Sequence, residues 1–255
     1  MRAAPPRLVA SDAATPATRL AVGNRTVRLV SLGGRRTDRL LSRVAANVGA
    51  AVDDVVAFWG AGWSKDISVV AAGSDKQFRA AAGGGAASQW ADIAAVTVAD
   101  YVDPVNRVLV GQRIVFAPGA VTMSTAALRI VLTHELFHYA ARADTVADAP
   151  RWLTEGVADF VARPNVAVPA EATSVVERLP SDTDLDTPGP RRSVAYDRAW
   201  WFARFIAASY GPATLRTLYL AACGVGHADL PTAFRTVLGA DSAGLLARWR
   251  HWATR

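Results

Sequence analysis

The sequence has 255 residues, of which 51% are hydrophobic and 20% charged, a balance typical of a folded globular chain. Its net charge is +6, but the basic residues are scattered and form no Lys/Arg-rich run, which argues against nucleic-acid binding. Cys223 is the only cysteine, so an intramolecular disulfide and a multi-cysteine metal site are excluded. The apolar neighbours of this cysteine favour a buried side chain over a catalytic thiol.

The apolar runs of the sequence are too short for a transmembrane helix, which needs about 20 residues. The first residues also lack the apolar core of a signal peptide. We therefore expect a cytoplasmic protein, unless an export or anchor segment lies outside this sequence.

The first part of the chain predicts a sheet and a long helix. Residues 1–22 are rich in Ala, Pro, Ser and Thr without periodicity, which predicts a mobile leader. Residues 23–122 form a predicted α/β subdomain in which Thr37 caps a helix that ends near Trp59. Strands are expected at 26–31, 67–72, 94–102 and 113–117, with a further short strand at 108–110.

The second part of the chain predicts helices throughout. From residue 123 the apolar period changes from two to 3.6 residues, so residues 123–255 form a predicted helical subdomain. Helices are expected at about 124–142, 150–163, 194–210, 212–223, 230–238 and 241–253, with a shorter one around 172–178. The segment 182–186 has Thr187 where a calcium loop needs Gly, so a solvated loop over the cleft is favoured over a calcium site. The predicted fold class is α+β, with a small mixed sheet and an edge strand beside the helix at 124–142.

That helix carries an HExxH motif, His134-Glu135-Leu136-Phe137-His138. Residues four apart lie one above the other on a helix, so both imidazoles can bind a single Zn²⁺. Glu135 is rotated by ~100° about the helix axis from His134, which places it beside the metal as the general base for a metal-activated water. The alternative is a pair of polar residues on an exposed face, but the apolar residues around the motif make such a face improbable.

A second acidic motif follows the first. Trp152-Leu-Thr-Glu155-Gly156-Val-Ala158-Asp159 opens the next predicted helix, and Glu155 would complete a site of two histidines and one glutamate. Asp159 lies one turn later on the same face, where it would accept the second N–H of a ligating histidine, with His134 the first candidate. The alternative is that both are surface acids near a helix N-terminus, where acids are favoured anyway.

The segments HELFHYA and WLTEGVADFVA together resemble the gluzincin zinc metallopeptidases, most closely the peptidase MA-like families of thermolysin-type catalytic fold. The stretch from Tyr196 to Gly211 is similar to the helix that follows the third ligand in those families, and the resemblance covers roughly residues 110–255. The resemblance implies one Zn²⁺ held by His134, His138 and Glu155, with Glu135 as base and Asp159 as hydrogen-bond partner. It also implies that Tyr196 donates to the tetrahedral intermediate, with aromatic packing as the alternative role.

Two departures from those families favour an endopeptidase. The interval between His138 and Glu155 is shorter than in the better known branches, and no GxMEN exopeptidase motif precedes HExxH. Residues 113–117 are instead expected to be the edge strand, to which a peptide substrate would add by backbone pairing.

The sequence therefore predicts a zinc-dependent peptidase acting on peptide or protein substrates. One alternative is a non-catalytic zinc-binding or scaffold domain that retains the gluzincin fold, and another is a zinc hydrolase acting on a non-peptide amide. His227 is a weaker candidate for a second oxyanion donor.

Overall fold

The computed structural model describes residues 17–165 and 178–254, so most of the short helix predicted around 172–178 lies outside the described residues. The strands are β1 (Ala17–Val22), β2 (Arg25–Ser31), β3 (Asp66–Ala71), β4 (Ala95–Val98), β5 (Tyr101–Asp103), β6 (Val108–Val110) and β7 (Arg113–Phe116). The helices are α1 (Arg35–Trp59), α2 (Asp75–Ala81), α3 (Thr125–Ala141), α4 (Arg151–Ala162), α5 (Asp182–Asp186), α6 (Pro190–Tyr210), α7 (Pro212–Cys223), α8 (Leu230–Leu238) and α9 (Ser242–Ala253). Within these ranges, no helix combines the length and apolar character of a membrane span.

The predicted α+β class is confirmed, because a mixed sheet precedes a helical C-terminal half. Among the described residues, the main sheet has the order β1-β2-β3-β7-β4. The central strands β2, β3 and β7 are parallel, and the two edge strands β1 and β4 are antiparallel to their neighbours. Helix α1 makes the crossover between the parallel strands β2 and β3, a connection that parallel pairing requires.

The edge strand beside the HExxH helix is β4, so the prediction that residues 113–117 form this edge was wrong. Strand β7 lies between β3 and β4, and Ile114, Val115 and Phe116 are fully buried, as in a strand covered on both faces. The predicted strand at 94–102 is interrupted after Val98. Its first part becomes β4, and its last part pairs with β6 in a separate hairpin.

Two predictions about the N-terminal part need correction. The predicted leader of residues 1–22 includes Ala17–Val22, which pairs with β2 as strand β1. Helix α1 begins at Arg35 after Gly34, so Thr37 is not its N-cap. The Thr37 hydroxyl lies inside the first turn, where it donates to the Gly34 carbonyl at 2.8 Å and accepts from the Gly33 amide at 3.1 Å.

The segment 182–186 is helix α5 and not a solvated loop. Ser181 and Asp184 form a capping box, a signal that is present in the sequence as Ser-x-x-Asp. The buried Asp184 carboxylate also accepts from Arg178 at 2.7 Å and Arg191 at 3.0 Å. The hydrogen bonds from Arg178 and then from Ser181 hold the pKa of Asp184 well below its usual range.

One apolar core joins the sheet to the helices and fixes the position of α3. The fully buried Phe137 ring contacts Phe58 and Trp59 of α1 and Tyr219 of α7, at centroid distances of 6.1, 5.5 and 5.6 Å. Burial of one such side chain stabilises the fold by about 1.5–3 kcal/mol. The thiol of Cys223 is also in this core, and burial raises its pKa to about 12.

Candidate metal centre

Helix α3 presents His134 and His138 on one face, and the residues between and around them pack into the core. Ser124 caps the helix by accepting from the Ala127 amide, and Leu132 and Leu136 are fully buried in the core. The Tyr139 hydroxyl donates to the Asp66 carbonyl of β3 at 2.9 Å, which ties the end of α3 to the sheet. The motif therefore lies on a helix that is held firmly along its length.

Helix α4 brings Glu155 and Asp159 to the histidines. Gly156 allows this placement, because a Cβ atom there would lie 2.4 Å from the Ala199 carbonyl oxygen of α6. The absence of a side chain lets α4 lie directly against the α6 backbone. The two acidic residues, one turn apart, then face α3.

The structure brings the three predicted ligands to one point. His134 Nε2 lies 3.1 Å from His138 Nε2 and 3.2 Å from Glu155 Oε2, and the remaining distance, from His138 Nε2 to Glu155 Oε2, is 3.5 Å. A tetrahedral zinc ion with ligands at ~2.0–2.1 Å separates its ligand atoms by roughly 3.3 Å. In the described parts of the chain, this is the group of His, Cys, Asp and Glu side chains that could hold a metal ion. The donor set and its spacing fit Zn²⁺.

Asp159 determines which nitrogen of His134 faces the cluster. His134 Nδ1 lies 2.9 Å from Asp159 Oδ1, and its Nε2 faces His138 and Glu155. When Nδ1 donates to Asp159, the neutral imidazole can present its Nε2 lone pair to a metal ion. Burial alone would lower the pKa of His134, but hydrogen bonds to Asp159 and Glu155 raise it well above its usual value. Burial alone would raise the pKa of Glu155, yet His138 and His134 hold it well below its usual range. Both shifts arise because the carboxylates favour a positive charge on the histidines, and the histidines favour a negative charge on Glu155.

Glu135 is held beside the cluster by the edge strand. It is 7% exposed, and its Oε2 lies 2.7 Å from the hydroxyl of Thr97 on β4. The same hydroxyl lies 2.8 Å from the Glu135 carbonyl oxygen. Thr97 is a site residue that the sequence analysis missed. Thr97 lies two residues after the buried Ala95 and so shares its face of the sheet, which packs on α3. This signal could have been used only after β4 had been recognised as the edge strand.

Tyr196 lies on α6 and lines the same cavity as Glu135 and the three candidate ligands. Its ring centroid is 6.4 Å from that of His134. The charge of Glu155, followed by burial and the charge of Glu135, raises the pKa of Tyr196 far above its usual value. The phenol therefore keeps its proton and can act as a hydrogen-bond donor.

His227 does not join this site. Its Nε2 lies 3.4 Å from Asp148 Oδ2, and its Nδ1 lies 3.2 Å from the Ala228 carbonyl oxygen. The side chain is not among those that line the cavity around Glu135. The prediction that it might serve as an oxyanion donor therefore has no geometric support.

Two cavities, of about 580 and 710 Å³, border β4 and extend to either side of the candidate centre. They share the side chains of His134, Glu135 and Tyr196, together with Ile93 and Ala95 at the sheet edge. We call the two together the cleft. The first cavity also has three arginines in its wall, Arg142, Arg151 and Arg192. The cleft is thus long enough to accommodate groups on both sides of Glu135.

The fold of this chain is similar to that of a solved metallopeptidase. The chain matches no protein-family model and no curated protein. It is similar to the crystal structure of an M1 zinc metallopeptidase variant from Deinococcus radiodurans, with 15% sequence identity and a TM-score of 0.40. The likeness covers 92% of this chain and 50% of that one, so this chain spans about half the length of the solved protein.

Proposed function

We propose that the protein is a zinc-dependent peptidase. The observation that carries the proposal is the convergence of His134 Nε2, His138 Nε2 and Glu155 Oε2, with the Glu135 carboxylate beside them. These three side chains would hold one Zn²⁺. The ion, when bound, supplies the positive charge that acidifies a water molecule and stabilises an oxyanion.

Glu135 is assigned the role of general base. Its carboxylate takes the proton from the attacking water and returns it to the leaving amine. Thr97 orients that carboxylate from the edge strand through the 2.7 Å hydrogen bond. Because the carboxylate is 7% exposed, its electrostatic interactions are stronger than they would be in water.

Tyr196 is assigned the role of oxyanion donor. A phenol that keeps its proton can donate to the negative charge that develops on the scissile carbonyl oxygen. Asp159 supports the site from behind, because it holds His134 in the tautomer whose Nε2 faces the cluster.

Peptide bonds are the proposed substrate because β4 is the last strand of the sheet among the described residues. Strand β4 pairs with β7 on one side, and an extended peptide can add to its other side by backbone hydrogen bonds. The cleft continues on both sides of Glu135, which suits residues before and after the scissile bond. This arrangement favours an endopeptidase.

The test is the Glu135→Gln variant, which removes the base and leaves the three candidate ligands in place. We expect the zinc-loaded wild type to cleave a quenched fluorescent peptide library and to lose activity with a chelator. We expect E135Q to lose about 10²–10⁴-fold in turnover, since this is the usual contribution of a general base. Its zinc content, measured by plasma mass spectrometry, should equal that of the wild type.

Asp54→Asn provides the matched control, because it makes the same change from carboxylate to amide at an exposed ion pair with Arg129. It should cleave as the wild type does. Equal turnover in E135Q and wild type would contradict the assigned base. Stoichiometric zinc without cleavage of any library member would favour the alternative, a zinc-binding domain without catalysis.

A further inference from the structure

The described residues place four arginines in the wall of the cleft, and these differ in their partners. Arg163 pairs with Asp159 at 3.4 Å and with Asp197 at 2.8 Å. Arg151 lies 2.6 Å from Asp186 in an ion pair, and Arg192 donates to the carbonyl oxygens of Ala91 and Leu185 at 2.6 and 3.0 Å. The Arg142 side chain makes no hydrogen bond or ion pair with the residues that the structure describes, and its buried Nε–H has no acceptor. Arg142 is therefore the cleft arginine whose charge is still available.

Arg142 continues the row of side chains that faces the candidate centre. It follows His138 by four residues at the end of α3, so it points to nearly the same side of the helix. At 1.5 Å per residue, it lies about 6 Å further along the helix axis than His138. A peptide bound across the centre would thus pass this guanidinium a short distance from the scissile bond.

Among the described residues, three acidic side chains near this end of the cleft are already paired with cations or histidines. Asp144 forms an ion pair with Arg107, Asp186 with Arg151, and Glu155 with the histidines. Burial lowers the pKa of Arg142, and the interaction that opposes this effect comes from the Tyr219 hydroxyl. A partly buried charge without a counter-ion is destabilising, and an anionic ligand would offset that cost.

We propose that Arg142 binds a carboxylate of the substrate, so that peptides carrying a carboxylate at the matching position are the preferred substrates of this cleft. A guanidinium presents its N–H donors as a planar fork that matches the two oxygens of a carboxylate. The carboxylate belongs either to an Asp or Glu side chain within the peptide or to its C-terminus. Arg142 is thus a specificity-determining residue. This inference rests on the proposed peptidase function, in that it names the substrate class of the same site.

The experiment measures binding first, so that it does not depend on turnover. Labelled peptides are titrated into the zinc-loaded E135Q protein, and affinity is followed by fluorescence anisotropy. One set moves a single Glu through an otherwise neutral sequence, with Gln at the same positions as reference. A second set compares a free C-terminal carboxylate with a C-terminal amide. We expect one position or one terminus to bind about 10- to 100-fold more tightly as the carboxylate, since charged hydrogen bonds have this strength.

The variants then test whether Arg142 causes that preference. Arg142→Gln, made in the E135Q protein, should abolish it, and Arg142→Lys should retain part of it because the charge remains. Arg151→Gln is the matched control. It removes a positive charge from the same wall of the cleft, but Asp186 already neutralises that charge. It should keep the preference. Circular dichroism identifies any variant that fails to fold, in which case R142K and R151Q carry the comparison.

The outcomes separate this inference from the proposed function. A carboxylate preference that persists in R142Q overturns the role of Arg142. The absence of any preference in the E135Q protein with Arg142 intact overturns it as well. Cleavage at equal rates by the wild type of peptides that carry the carboxylate and of their Gln or amide counterparts would likewise overturn it, while the peptidase function would stand. Carboxylate-selective binding without cleavage of any peptide by the wild type would support Arg142 and contradict the peptidase function.

Discussion

Substitution of Gly156 by Ala tests how the third candidate ligand is positioned. The new Cβ would lie 2.4 Å from the Ala199 carbonyl oxygen and 2.7 Å from its carbonyl carbon, whereas ordinary contact begins at 3.4 Å. Helices α4 and α6 must therefore separate by about 1 Å, which is the kind of backbone shift that overpacking produces. Since Glu155 is the preceding residue, the same shift moves it away from the histidines.

The expected loss of stability follows from two opposing terms. Overpacking costs about 1–3 kcal/mol, and a clash with the backbone of a buried helix belongs at the upper end of that range. The higher helix propensity of Ala offsets about 1 kcal/mol of this cost. We expect a net decrease of about 2 kcal/mol in the free energy of unfolding, equivalent to about 4–8 °C in Tm for a chain of this size.

The assay is urea unfolding of the metal-free protein, so that ligand binding does not mask the change, followed by a zinc titration. Gly119→Ala is the control, because a Cβ at that exposed position meets no atom within 4 Å. It should match the wild type or be slightly more stable. Equal unfolding midpoints for G156A and G119A, with equal zinc affinities, would refute the argument that Gly156 positions Glu155.

Two further predictions concern acidic residues. Asp159→Asn should weaken zinc binding by about 10- to 100-fold in a chelator competition, because partners of ligating histidines contribute this much; unchanged affinity would show that Asp159 does not orient His134. The pKa of Asp184 is lowered in the folded state, so its carboxylate stabilises the fold above the usual Asp pKa of 3.8, and this contribution is lost as the pH falls below that value. Asp184→Asn should therefore decrease the free energy of unfolding by about 1–2 kcal/mol at neutral pH and by less in acid, and a difference that does not depend on pH would contradict this.

The candidate ligands could be predicted because their relative positions depend on local rules. His134 and His138 share a helix face through their spacing alone, and Glu155 and Asp159 do the same on the next helix. A short connection between α3 and α4 then leaves few ways to pack the two helices. The helical C-terminal half could also be predicted, because the apolar period changes from two to 3.6 residues at about residue 123.

The parts that could not be predicted depend on pairings between distant segments. The order of β7 and β4 follows from which strand pairs with β3, and a run of apolar residues does not encode that choice. Thr97 was missed for this reason, since it is 38 residues from Glu135 in the chain. Arg163 was missed as well. Its contact with Asp159 at 3.4 Å is local, but its contacts with Asp197 at 2.8 Å and with the Trp200 ring depend on how α6 packs.

The candidate ligands and the other groups of the site lie on different elements of the fold. The three candidate ligands all lie on α3 and α4, so zinc binding requires that these two helices pack correctly, with α4 held against α6 at Gly156. The orientation of Glu135 also requires β4, and the oxyanion donor requires α6. Metal binding and hydrolysis therefore depend on partly different elements of the fold, and a chain could retain the first while losing the second. For this reason zinc content alone cannot separate a peptidase from a zinc-binding scaffold. The position of β4 bears directly on catalysis, because Thr97 on this strand orients Glu135.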